Sequence, residues 1–219
     1  MVCVVAYVAS LALDPRAVIR PRGLFGILSP SMGALDALGM TGAYAWADGR
    51  WWTLITAVYL HGGLLHLIFN LIWINQLATA VEDTFGRARL VLIFTASGVA
   101  GYVVSNLAGV GFSVGASGAV FGLLAALVYY GRARGGWFGV AVFRQYGQWA
   151  LLLFVLGFVM PGVNNLAHLG GFVGGYLAGL MLGHGDRTPE RGVHGLLAAA
   201  TLGLTAVSFG LALWAGLIR

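Results

Sequence analysis

The chain has 219 residues, of which 59% are hydrophobic and 9% charged, and its mean hydropathy is +0.88. A soluble domain carries roughly 25% charged residues, and 12 basic with 7 acidic side chains are too few to solvate a protein of this size. A soluble globular domain, a disordered chain and a coiled coil are excluded on that ground; a disulfide scaffold is excluded because Cys3 is the sole cysteine. The apolar runs are continuous, unlike the ~10-residue alternating segments of an outer-membrane barrel, so the class is an all-α polytopic membrane protein. The net charge of +5 does not signal nucleic acid, because the arginines scatter through the loops and form no basic face. The 35 glycines follow no collagen-like period and suit close helix contacts in a membrane bundle.

A membrane-crossing helix needs about 20 largely apolar residues. Met1 to Leu13 is apolar but short, ends at Asp14-Pro15 and lacks the basic start of a signal peptide; it reads as a first helix whose beginning is missing or wrongly assigned. Residues 14–52 are broken by Pro15, Pro21 and Pro30 yet rich in Leu, Phe and Trp, which predicts a first loop lying in the membrane interface. Spans follow at 58–80, 88–108, 116–131, 148–160, 166–183 and 193–217, the fourth and fifth of these separated at Pro161-Gly162. The expected organisation is a six-helix core over 1–183, a polar linker at 184–192 and an appended seventh helix over 193–219. His184 and His194 flank that linker and read as solvated. With the N-terminus inside, the inner loops carry more arginine than the outer side, and the outer loops at 109–114 and 161–165 carry none.

Polar residues inside such helices are costly and mark function. His66 and Asn70 are four apart and share a helix face, with His61 at the helix entry beside Gly62-Gly63. Each histidine alone is as well explained by a structural hydrogen bond to a carbonyl. A metal site is poorly supported, because no acidic residue or cysteine lies in the span to complete a shell. Ser117 opens a helix between Gly115 and Gly118, which clear space around its hydroxyl, and a helix start favours developing negative charge. His168 opens another helix, followed by Gly171, Gly175, Gly179 and Gly183 at a spacing of four. Gly118, Gly122 and Ala126 form a matching stripe. If the stripes dock, Ser117 and His168 meet, and a serine beside a base is an activated nucleophile. No Asp is placed to orient His168, so the pair reads as a dyad and not a triad.

These motifs resemble the rhomboid family of intramembrane serine proteases: His61-x4-His66-x3-Asn70, then Gly115-Ala-Ser117-Gly118, then Ala167-His168-Leu-Gly-Gly171-x3-Gly175. The resemblance covers about residues 1–183 and implies a six-helix rhomboid-like bundle. It implies Ser117 as nucleophile, His168 as general base, and His66 and Asn70 with the Ser117 N–H as the oxyanion hole. His61, Gly115, Gly118, Phe121 and Gly171 would support them. It further implies that Glu82 bonds inside the bundle near its inner side and that the fifth helix gates substrate entry. Two positions depart from the family's habit: Thr53 follows Trp52 where members often have Arg, and Phe121 stands where many have Tyr. The ring face remains, so stacking on His168 is expected. The implied partners are membrane-protein substrates with a transmembrane segment and the lipid bilayer, without metal or organic cofactor and without nucleic acid. The expected location is a bacterial cytoplasmic membrane with the site opening to the outer side. The rival reading is a rhomboid-like protein that binds transmembrane clients without cutting them. A third is a histidine-based metal or proton pathway, which predicts that His61, His66 and His168 converge.

Overall fold

The computed structural model describes residues 1–18, 26–185 and 188–217. Arg20, Pro21 and Arg22 of the first loop therefore lie outside the described residues. The described chain is helical: α1 (Val2–Leu13), α2 (Pro15–Val18), α3 (Met32–Ala37), α4 (Ala43–Ala47), α5 (Thr53–Thr56), α6 (Leu64–Phe85), α7 (Arg87–Leu107), α8 (Ser117–Arg134), α9 (Gly136–Val159), α10 (Asn165–Leu182) and α11 (Gly192–Leu217). Four of these, α6, α7, α9 and α11, are long and apolar enough to cross a membrane.

Two boundaries differ from the sequence reading. The second long helix starts at Leu64 and not at 58. Residues 57–60 close successive tight turns, and Gly63 is fully extended at φ 177°, so the helix begins only after the Gly62-Gly63 pair. The fifth long helix starts at Gly136 and not at 148. Gly135 and Gly136, at φ +67° and +65°, turn the chain out of α8. Beyond them nothing in 137–147 breaks a helix; Arg144, Gln145 and Gln148 are good helix formers that cost apolarity and not helicity.

Between α1 and α6 the chain folds as short helices over one end of the bundle. Ser31 caps α3 by accepting from Ala34 N, and Arg50 pairs with Asp36 at 2.8 Å. Thr41 and Ser113 form an isolated antiparallel bridge, tying this segment to the loop before α8. Tyr44, Trp46 and Trp51 stay exposed on it, as aromatic residues do at a membrane interface.

The centre of the bundle is α7, α8 and α10, packed backbone to backbone. A Cβ on Gly171 would strike the Gly118 carbonyl, and one on Gly175 the Gly122 carbonyl. Gly179 faces Ala126, so the two small-residue stripes lie against each other. The same helix uses its other side against α7: Gly170 faces Val104, Gly174 faces Ala100, and Gly101 of α7 meets the Ala167 carbonyl. Such contacts gain dispersion without leaving voids.

At the opposite end of the bundle from Ser117, a fully buried Arg89 fastens the linker. Its guanidinium donates to the carbonyls of Phe85 at 3.2 Å, Thr188 at 2.8 Å and Pro189 at 3.1 Å. Glu190 accepts from the backbone N–H groups of Ala88 and Arg89 at 2.8 and 3.2 Å, capping α7. His184 is buried under this fastening with its ring 5.1 Å from that of Tyr130, so it is not the solvated residue expected from the linker's polarity. His194 is half-buried and accepts from Arg191 N. Glu82 does not bond inside the bundle: it is exposed and lies 3.9 Å from Arg87 at a turn of the surface, the buried polar role at this end falling to Arg89.

Candidate active site

Ser117 is the first residue of α8 and Ala116 its N-cap. The first amides of a helix lack intrahelical partners, so the N–H of Ser117 points out of the helix beside its own hydroxyl. The turn before it needs glycine twice over. Gly115 has φ +132°, and a Cβ there would fall 2.7 Å from the His66 ring. Its amide donates to the Ala57 carbonyl, and its carbonyl accepts from the Tyr102 hydroxyl at 2.7 Å. Tyr102 is buried on α7 and reaches the Ala57 carbonyl as well, at 3.3 Å. One hydroxyl thus pins both the turn before α8 and the segment leading to α6.

His168 lies in the first turn of α10, brought to Ser117 by the Gly118–Gly171 contact. Its Nε2 is 2.8 Å from Ser117 Oγ. Phe121, one turn along α8 from the serine, stacks on the imidazole with centroids 4.3 Å apart and planes at 17°. Asn164 caps α10 through Ala167 N and donates to Ser105 and Ser113 at 2.6 and 3.0 Å, which anchors the helix start to α7 and the preceding loop. His168 is 5% exposed, so its pairing with Ser117 is largely shielded from solvent.

On α6, His66 Nδ1 accepts from Gly62 N at 3.4 Å. The proton therefore belongs on Nε2, the atom that lies against Gly115. Asn70 donates to the His66 carbonyl at 2.9 Å and keeps its second N–H free to act as a donor. His61 is fully buried, its ring 5.0 Å from His66 and its Nδ1 3.2 Å from the Tyr59 carbonyl. Rather than converging with His66 and His168, it sits behind His66. Among the described residues no group of His, Cys, Asp or Glu is arranged to hold a metal ion.

A narrow pocket opens beside this cluster between α6 and α9. Asn70, Ser117 and His168 form its polar end, and Phe69, Trp73, Leu153, Leu156 and Met160 its apolar wall. The arrangement can do acyl chemistry: a hydroxyl paired with a base, N–H donors nearby, and an apolar approach. Sequence reasoning missed two members, Tyr102 and Asn165, whose Oδ1 is 3.1 Å from His168 Nδ1. Asn165 was legible as a polar residue one turn before His168; Tyr102 had no signal, since its hydroxyl meets backbone alone.

The helices and this buried polar site define a multi-pass integral membrane protein. The family model described as the Rhomboid domain matches residues 48–185, and the chain belongs to the rhomboid family. It is 36% identical over 169 residues to rhomboid protease GluP of Bacillus subtilis (strain 168), covering 74% of this chain and 32% of that protein. It is 36% identical over 135 residues to the putative rhomboid protease YdcA of the same organism, covering 60% and 67%. It is 35% identical over 166 residues to RHOMBOID-like protein 5 of Arabidopsis thaliana, covering 71% and 52%. The chain thus spans about a third of GluP and about half of the plant protein.

Proposed function

We propose that this protein is an intramembrane serine protease that cuts peptide bonds in or beside the transmembrane segments of other membrane proteins, using Ser117 and His168. The observation that carries the reading is the 2.8 Å approach of His168 Nε2 to Ser117 Oγ in a chain of the rhomboid family. His168 takes the hydroxyl proton as Oγ attacks the scissile carbonyl carbon. Negative charge gathers on the carbonyl oxygen and is met by the Ser117 N–H, His66 Nε2–H and the free Asn70 N–H. When the C–N bond breaks, His168 passes its proton to the leaving amine. Water, deprotonated by the same imidazole, then cleaves the acyl ester and frees the serine.

The same reading sets the larger organisation. A six-helix core, α1 and α6 to α10, holds the site; α11 is an added seventh span after the linker; and residues 26–52 lie in the outer interface. The site opens outward, and substrate enters where α9 meets α6. A helical substrate hides its carbonyls, so small or helix-breaking residues near the cut favour local unwinding.

The test is labelling of the purified protein in detergent with a fluorophosphonate, which reacts with activated serines. Wild type labels, while Ser117→Ala and His168→Ala do not although both fold. Absence of labelling in folded wild type overturns the proposal and favours a client-binding, non-cutting role.

A further inference from the structure

A base in a serine–histidine pair works only when its proton sits on the nitrogen away from the serine. Something must hold it there. In a triad that task belongs to an aspartate, and no acidic residue is hydrogen-bonded to His168 among the described residues. The atom in that place is Asn165 Oδ1, 3.1 Å from His168 Nδ1. An amide oxygen only accepts, so Nδ1 carries the proton and Nε2 turns a lone pair toward Ser117 Oγ at 2.8 Å.

The amide is itself held. Asn165 is the first residue of α10, next to the Asn164 cap. Its Oδ1 lies over Gly157 of α9, at the spot a side chain there would occupy. The imidazole cannot swing away, because Phe121 covers its face. Three contacts surround the ring: Ser117 at Nε2, Asn165 at Nδ1, and Phe121 on the plane, which holds its orientation.

We infer that Asn165 is a positioning residue that sets the tautomer of His168, doing with a neutral amide what the aspartate does in a triad. This rests on the proposed function of Ser117 and His168. It also ties the base to α9, since the amide is seated on that helix's backbone; an outward movement of α9 at Gly157 would loosen the base's partner.

The experiment compares wild type, Asn165→Ala, Asn165→Asp and Ser117→Ala, purified as full chains, by the rate of fluorophosphonate labelling against pH. A second measurement, 15N NMR of the histidine rings, reads the tautomer directly, with His168 assigned by its loss in His168→Ala. The ring touches Ser117 and Phe121 from α8 and Asn165 of its own helix, lies within electrostatic reach of His66 from α6, and shares its pocket with Leu153 and Gly157 of α9; the titratable neighbour, His66, is followed in the same spectra. Asn165→Ala is expected to label about 10–100-fold more slowly, by analogy with the loss of a hydrogen-bond partner that orients a metal-bound imidazole, with the Nε2–H form of His168 appearing. Asn165→Asp is expected to keep labelling, with its acid limb moved to higher pH, because a carboxylate at Nδ1 stabilises the imidazolium. A residue that merely shapes the start of α10 would not move that limb. Labelling of Asn165→Ala at the wild-type rate with an unchanged His168 tautomer overturns the inference, as does an Asn165→Asp profile that superimposes on wild type. Equal labelling of Ser117→Ala and wild type would instead sink the nucleophile assignment.

Discussion

The two sides of the site are built differently. On one side α7, α8 and α10 meet through glycine and alanine with their backbones in contact, and Ser117 and His168 stand on that block. On the other side α9 meets α8 backbone to backbone toward the far end, where Gly131 and Gly139 approach. Nearer the serine it rests on rings, Phe154 against Phe121 and Trp149 against Trp73, and on the Gly157–Asn165 contact. Leu151, Leu152, Val155, Phe158 and Val159 face outward from it. The block keeps Ser117 Oγ and His168 Nε2 in register, 2.8 Å apart. The helix opposite is fastened at one end and held by side chains at the other, which suits the entry wall proposed for α9.

Substitutions on the two sides should therefore differ sharply. Gly175→Val puts a side chain where the Gly122 backbone lies, and overpacking of this kind is expected to cost about 3 kcal/mol or more. Thermal unfolding in detergent should show a large fall, and an unchanged midpoint would mean that the helices can slide apart freely. Asn70→Ala should leave stability near wild type and lower turnover about 10²- to 10³-fold, the loss seen when one oxyanion donor is removed; His168→Ala should be worse. If Asn70→Ala proved the more damaging, the roles would have to be exchanged. Phe121→Ala removes a stacked pair, worth about 0.5–1.5 kcal/mol, so turnover should fall up to about tenfold while Phe121→Tyr stays close to wild type. At the small end, Leu152→Ala on the outward face of α9 should change stability by no more than about 0.5 kcal/mol. A large loss there, measured in the same melts, would show that α9 is clamped and would undo the contrast.

The close-packed side was the legible one. A repeat of glycine every fourth residue from Gly171, answered by Gly118, Gly122 and Ala126, is a spacing signal, and spacing survives into three dimensions. The second use of α10, against Gly101 and Ala100 of α7, was not read, because Gly98 and Gly101 are three apart in an otherwise ordinary apolar span. His66, Asn70, Ser117 and His168 stood out as polar residues in apolar helices. What was lost were features made by backbone carbonyls and by distance in sequence. The Tyr102 hydroxyl bonds two carbonyls, and two of the three carbonyls that Arg89 reaches lie about a hundred residues away. The start of α9 is hidden for another reason: polar residues lower the apolarity that marks a membrane span, whereas helix formation depends on backbone freedom and Arg144, Gln145 and Gln148 do not impair it.

The fastening at Arg89 bears on how this protein can be cut and grafted. The family match ends at residue 185, but two of the carbonyls that accept from Arg89 belong to Thr188 and Pro189, and the carboxylate over α7 belongs to Glu190. A fragment trimmed at the family boundary would keep the guanidinium and lose much of what surrounds it, and an unsatisfied buried polar group costs about 1–3 kcal/mol, more when charged. A truncation that spares this fastening therefore has to lie beyond Glu190, and one that removes α11 as well strips Phe209 from Tyr59 and Ala212 from Gly39.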